Sequence, residues 1–245
     1  MSTPATKDIG DSLFNVTVVM PCHNHGSFLE RSVGSVVSQD YKRTKLVIVN
    51  DGSSDNSLEV ASELSSRYEN VEVISNEHPT GPSAARNFAI KHSWDTTDFF
   101  MQLDADDSYL PGKISKSVDI MSKDIQNIGL VYADVLIENM SNGAVVLELR
   151  HPYNREDIEF ECIVSNTPLI NKIALSQTGL YDEDMRTAED WDLWLRITEH
   201  FVAVHIPEPL STYSVTGFNA SDVVSPETWN KNWDKIRERI AGQHG

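Results

Sequence analysis

The sequence predicts an α/β fold: an open, mixed but mostly parallel sheet sandwiched between helices. Three observations carry that expectation. Short apolar runs rich in β-branched residues, "NVTVVMP" and "KLVIVND", read as strands buried on both faces, as in parallel sheets covered by helices. Helical stripes alternate with such runs through the first 120 residues, which gives repeated βαβ units with right-handed crossovers. From residue 128, "GLVYADVLIENMSNGAVVLELR" reads as two strands joined by a turn around Asn142 and Gly143, so the sheet becomes mixed.

The elements follow in order. After "NVTVVMP", the segment "SFLERSVGSVVSQ" places Leu29, Val33, Val36 and Val37 on one helical stripe. After "KLVIVND", "SLEVASELSSRY" is helical through Leu58, Ala61, Leu64 and Ser65, and the strand "VEVIS" follows. A third unit runs from the helix "GPSAARNFAIKHS" into the strand "DFFMQL". Beyond the hairpin, residues 151–186 read as irregular with one helical piece, "INKIALSQ"; "TAEDWDLWLRITEHF" is a strong helix, and residues 220–245 read as loop plus the polar helix "ETWNKNWDKIRERI". With no linker, repeat or low-complexity stretch, one domain across residues 1–245 is the expectation.

Composition narrows the partners. Thirty-seven acidic against twenty basic residues give a formal charge of -17, which argues against a nucleic-acid surface or a polybasic membrane patch. An anionic ligand would need a local cation, either a metal or an arginine. No run of 18 apolar residues could span a bilayer. The start "MSTPATKDIGDSLF" lacks the basic and apolar regions of a signal peptide, so a cytoplasmic location is expected and the sequons at Asn15, Asn139 and Asn219 are read as accidental. Cys22 and Cys162 are too few for a disulfide framework and lack zinc-site spacing; both are read as reduced and structural.

Ligands of open α/β sheets bind beyond the carboxyl ends of the strands. That rule selects Pro21 to Asn24, Asn50 to Ser54, and Asp104 to Asp107. Asp104 and Asp106 are two residues apart, so in extended chain they point the same way. Such a pair suits a hard cation shared with a diphosphate, or else forms an acidic turn that caps the next helix. An EF-hand is excluded, because Tyr109 and Ser115 stand where glycine and glutamate are required. In "VNDGSSDNS", Asp51 at a strand end could accept from a base or sugar, while Ser53 or Asp55 could cap the following helix. Arg86, on a helix start, suits phosphate or pairs with a surface acid. Asp190, beside Glu189 and the indoles of Trp191 and Trp194, suits a general base. Thr187 as cap with Asp190 at the third helical position gives a purely structural account of the same segment. His205 reads as a strand residue. Dinucleotide and P-loop glycine motifs are absent.

Taken in order, "VVMPCHN", "VNDGSSD", "GPSAARN", "LDADD", "AEDWDLWLRI" and "IPEPLSTY" resemble the family 2 glycosyltransferases, inverting enzymes of the GT-A, Rossmann-like fold. The resemblance covers about residues 15 to 214 and implies a nucleotide-binding half at about 15–127, an acceptor-side half at about 128–219 and a helical tail at 220–245. By that resemblance Pro21, Cys22, His23, Asn24 and Asp51 would form the nucleotide pocket, with Arg86 close to base or phosphates. Asp104 would meet the ribose or the metal, and Asp106 would hold Mn²⁺ or Mg²⁺ on the donor diphosphate. Asp190 would be the catalytic base, with Glu189 and Trp191 on the acceptor side. The implied reaction moves a sugar from a nucleotide-sugar donor, expected to be a UDP-sugar, to a hydroxyl of a glycan, a lipid-linked or another acceptor, as in polysaccharide biosynthesis. Two departures stand out: His23 takes a place often held by an aromatic, and Ser214 and Thr216 follow the tyrosine where the family commonly has an arginine and a histidine. The alternatives are a nucleotidyltransferase making nucleotide sugars and an inactive nucleotide-binding protein.

Overall fold

The computed structural model describes residues 14–217, Asn219 and residues 224–243. Its sheet is centred on β1 (Val16–Cys22), which pairs in parallel with β2 (Thr44–Asp51) on one side and β4 (Phe99–Gln102) on the other. β3 (Val71–Asn76) extends the parallel set beyond β2. Past β4 come β8 (Leu169–Asn171), β6 (Ile128–Asn139), β9 (Val202–Val215) and β5 (Ser108–Tyr109), while β7 (Val145–Glu148) pairs with the far end of β6. β6 and β9 are parallel; β8, β5 and β7 run antiparallel to their neighbours. The mixed, mostly parallel sheet expected from the sequence is therefore present.

Strand side chains alternate between two cores, as a period of two requires. Val18, Met20, Leu46, Ile48, Phe99 and Met101 pack on one face, against α1 (Leu29–Val37), α2 (Ser57–Arg67) and α4 (Lys113–Met121). Val19, Val47, Val49 and Phe100 face the other way, onto α3 (Pro82–Ser93), α6 (Lys172–Thr178) and α7 (Glu189–Thr198). Pro21 is tolerated in a central strand for a local reason. Val19 turns its carbonyl toward the β4 side, where it accepts from Leu103, and Pro21 faces the same way two residues beyond the last residue paired with β4. Its missing N–H therefore costs no ladder bond.

Three details depart from the sequence expectation. Leu169–Asn171 form a strand inserted between β4 and β6, and the helix begins only at Lys172, where the Asn171 side chain accepts from the Ile173 N–H. A second helix, α5 (Arg155–Phe160), occupies the stretch read as irregular, capped by Asn154. On α2 the buried stripe is Ser57, Ala61 and Leu64, and Leu58 is exposed.

Candidate active site

A cleft of about 470 Å³ opens beyond the carboxyl ends of β1, β2 and β4 and is closed on the far side by the start of α7. The strand-end rule thus selects the right edge of the sheet. Pro21, Cys22, His23, Asp51, Arg86, Asp104, Asp106, Glu189 and Asp190 all line it. Asn24 and Trp191 do not.

The floor is built from loops that bind one another. Gly52, at φ +61, brings the chain so close to His78 and Pro79 that a Cβ would lie 2.6–2.7 Å from their atoms, a position only glycine fills. Asp51 thereby meets the loop before α3: its carboxylate accepts from Asn76 Nδ2, from the Thr80 N–H and hydroxyl, and from the Gly81 N–H at 2.8 Å. Burial opposes ionisation of Asp51, but these hydrogen bonds outweigh it and hold the carboxyl below its ordinary value. His23 Nδ1 lies 2.8 Å from the Asp51 carbonyl, and its Nε2 lies 3.1 Å from Asn24 Nδ2. Asn24, at φ 57, turns away from the cleft and accepts the Ser54 N–H at 2.8 Å, so it ties the first loop to the second.

Arg86 is buried, 4% exposed, and each of its terminal nitrogens lies 2.6 Å from a carboxylate: Asp104 on one side, Glu189 on the other. Its partners are the cleft's own acids rather than a surface acid. It joins the loop after β4 to the start of α7.

The three aspartates after β4 have separate environments. Asp107 is fully buried and accepts from the Ser214 N–H and from Asn166 Nδ2, both at 2.8 Å, which makes it the structural member. Asp106 is 6% exposed and faces the cleft; among the described residues its carboxylate receives no hydrogen bond from a neighbouring residue, and His25 Nε2 stands 3.9 Å away. Burial and then the charge of Asp104 push its carboxyl above the ordinary value, with His25 and Arg31 partly opposing. Its backbone carbonyl accepts from Arg31 Nη2 and from the Ser214 hydroxyl, which fixes the loop against β9.

α7 starts differently from its sequence reading. The residue before it, Ala188, is at φ 56, a left-handed conformation costly for alanine, and no side chain caps the helix. Thr187 instead accepts Asn232 Nδ2 through both its carbonyl and its hydroxyl, at 2.9 Å each. That asparagine belongs to α8 (Pro226–Gln243), which also pairs Arg239 with the buried Asp192. Asp190 opens onto the cleft and accepts the Trp191 N–H at 2.7 Å. Burial and then the neighbouring charge of Glu189 push its carboxyl up to about 6, partly offset by Arg86. Trp191 points into the protein: its Nε1 donates to the Ile158 carbonyl and its ring meets Trp233 edge-on at 5.0 Å.

Other residues complete the cleft. His25, Gln102, Asn166, Arg186, Tyr213, Asn219 and Trp229 line it as well. His25 lies one residue past the first block, and Arg186 four before Asp190, so proximity to the motifs is a usable signal for both. Nothing in the polar helix pattern around Trp229 marks it. Ser214 donates to Asp106, whereas the Thr216 N–H and hydroxyl reach Asn219 Oδ1.

The model of "Glycosyl transferase family 2" matches residues 17–158. An uncharacterized glycosyltransferase of Rickettsia typhi is 28% identical over 189 residues, 74% of this chain and 58% of that protein, so the chain spans little more than half of that relative's length. Among solved structures, S. aureus TarS 1–349 in complex with UDP-GlcNAc superposes with a TM-score of 0.76 at 18% identity, over 92% of this chain and 66% of that one. The mannosyltransferase PcManGT from Pyrobaculum calidifontis, in complex with GDP-Man and Mn²⁺, superposes with a TM-score of 0.68 at 15% identity, over 100% and 73%. At these identities the likeness is one of fold, and the fold is GT-A. No helix among the described residues is long and apolar enough to cross a membrane.

Proposed function

The chain belongs to glycosyl transferase family 2, and we propose that its cleft binds a nucleotide sugar and passes the sugar to an acceptor hydroxyl with inversion, Asp190 serving as general base. The observation that carries this reading is the opening of Asp104, Asp106 and Asp190 onto one cleft, alongside the ends of β1 and β2. The neighbours bound to UDP-GlcNAc and to GDP-Man support a nucleotide-sugar donor. A UDP-sugar is the first donor to test.

In this reading the base and sugar of the nucleotide lie over Pro21 to His23 and the rim of Asp51, whose carboxylate orders the Thr80–Gly81 loop beneath them. Arg186, exposed at the cleft and donating to the Thr80 carbonyl at 2.9 Å, supplies a cation in a strongly acidic chain. Asp190 accepts the proton of the acceptor hydroxyl as that oxygen attacks the anomeric carbon from the face opposite the nucleotide. A carboxyl held at about 6 suits the task, because it is ionised at neutral pH yet more basic than an ordinary aspartate. Arg86 holds Glu189 and so the start of α7.

A divalent cation, Mn²⁺ or Mg²⁺, fits the residues present. The Asp106 carboxylate is buried beside Asp104 without a hydrogen-bond donor from another residue, which a cation would relieve. No group of three His, Cys, Asp or Glu forms a ready-made cation site among the described residues, so diphosphate oxygens would complete the shell. When bound, such an ion supplies Lewis-acid stabilisation of the departing diphosphate.

A thermal-shift panel of nucleoside diphosphates and nucleotide sugars, with and without Mn²⁺, tests the reading, since a ligand of the folded state raises its stability by mass action. The expected result is stabilisation by one nucleotide-sugar class and release of its nucleoside diphosphate on turnover. Pyrophosphate release from a nucleoside triphosphate would point instead to a nucleotidyltransferase.

A further inference from the structure

The loop after β1 carries a histidine that the mechanism above leaves without a task. His25 lines the cleft, and its Nε2 lies 3.9 Å from Asp106 Oδ2. That distance is beyond hydrogen-bond reach. Among the described residues the imidazole makes no hydrogen bond at all, although the residue is well anchored: its backbone N–H donates to the Ser57 hydroxyl at 3.0 Å and its ring packs on Phe28 with centroids 5.8 Å apart. Asp106 mirrors this state. Its backbone carbonyl is fixed by Arg31 and Ser214, while its buried carboxylate takes no hydrogen bond from another residue.

A gap of 3.9 Å between a ring nitrogen and a carboxylate oxygen is short enough for one ion to touch both, because each metal–ligand bond is about 2.1 Å. The neighbouring acid is less available. Asp104 Oδ1 is already committed to Arg86 at 2.6 Å. Ser214 and Thr216, at the end of β9 and just past it, offer hydroxyls engaged with Asp106 and Asn219, and no imidazole.

We propose that His25 is a cation ligand, which together with Asp106 holds a divalent transition ion whose remaining positions are filled by the donor diphosphate. The inference rests on reading the cleft as a metal-dependent donor site. An imidazole nitrogen beside a carboxylate favours Mn²⁺ over the harder Mg²⁺.

The test measures Mn²⁺ binding in the presence of UDP or GDP by the loss of the free-ion EPR signal. Pulsed EPR on protein labelled with ¹⁵N-histidine then reads the ligand nitrogen. The native protein is expected to bind Mn²⁺ with a histidine ¹⁵N coupling. His25→Ala and His25→Gln should both fold, checked by thermal unfolding, lose that coupling and bind Mn²⁺ at least about tenfold more weakly, with metal-free UDP binding unchanged. Mn²⁺ bound through Asp106 without a histidine coupling, or with a coupling that survives both substitutions, overturns the ligand role and leaves the metal-dependent reading standing. Absence of Mn²⁺ binding with either nucleotide overturns both.

Discussion

Arg86 donates to Glu189 across a 2.6 Å ion pair that joins α3 to the first residue of α7. The same guanidinium reaches Asp104, so one cation neutralises two acids contributed by different parts of the chain.

Removing it should therefore cost more than a surface pair would. Arg86→Met leaves the buried Glu189 and the partly exposed Asp104 without their shared cation; breaking a buried pair from one side costs about 3–5 kcal/mol, and the solvent that reaches Asp104 puts the loss toward the lower end. Chemical unfolding of Arg86→Met against the native protein reads this directly; a loss below about 1 kcal/mol would show that water replaces the guanidinium without penalty.

The carboxyl of Asp190 gives a pH signature with a defined sign. Its ordinary value of 3.8 rises to about 6 in the folded protein. Between those limits the native state holds a proton that the unfolded chain has released, so stability falls as pH rises through this window and levels off above it. Asp190→Asn removes this contribution, and its melting temperature at pH 7 to 8 should exceed that of the native protein. The turnover of the native enzyme should climb as pH rises through about 6, since only the ionised base accepts a proton.

Asp107 should separate from its neighbours on mutation. Asp107→Ala leaves the Ser214 N–H and Asn166 Nδ2 without their acceptor, at about 1–3 kcal/mol for each buried donor. Burial, then the charges of Asp104 and Asp106, raise the carboxyl of Asp107 well above its ordinary value; Asp107→Asn removes that buried charge and keeps one accepting oxygen while its amide nitrogen meets the second donor, so it should cost less than Asp107→Ala. Comparative denaturant midpoints of the two variants check this.

Trp191 and Trp229 call for different readouts. Trp191→Ala removes a buried indole with a hydrogen bond to Ile158 and should cost about 3–5 kcal/mol. Trp229 lines the cleft, so Trp229→Ala should weaken substrate binding, read as a raised KM at temperatures well below the melting temperature of the variant.

The residues that were legible in the sequence, and those that were not, differ for physical reasons. β1, β2 and β4 are apolar runs buried on both faces, and the strand-end rule then places Asp51, Asp104 and Asp106 on one edge without further information. β8 is three residues long, too short for a period to register, and is defined only by its neighbours on both sides. Asn24 sits beside His23 in sequence, yet a left-handed backbone turns it to the second loop. Thr187 has the chemistry of a cap, but a contact 45 residues away with Asn232 decides its role. Which side of α7 carries Trp191 inward, and that α8 brings Trp229 to the cleft, are tertiary facts that local pattern does not encode.

The role of Asp190 as base is probed by the turnover of Asp190→Asn with the preferred nucleotide sugar, measured beside donor affinity. Donor binding should stay within about twofold of native while turnover falls by about 10²–10⁴. Native turnover in Asp190→Asn, with the fold intact, would contradict it.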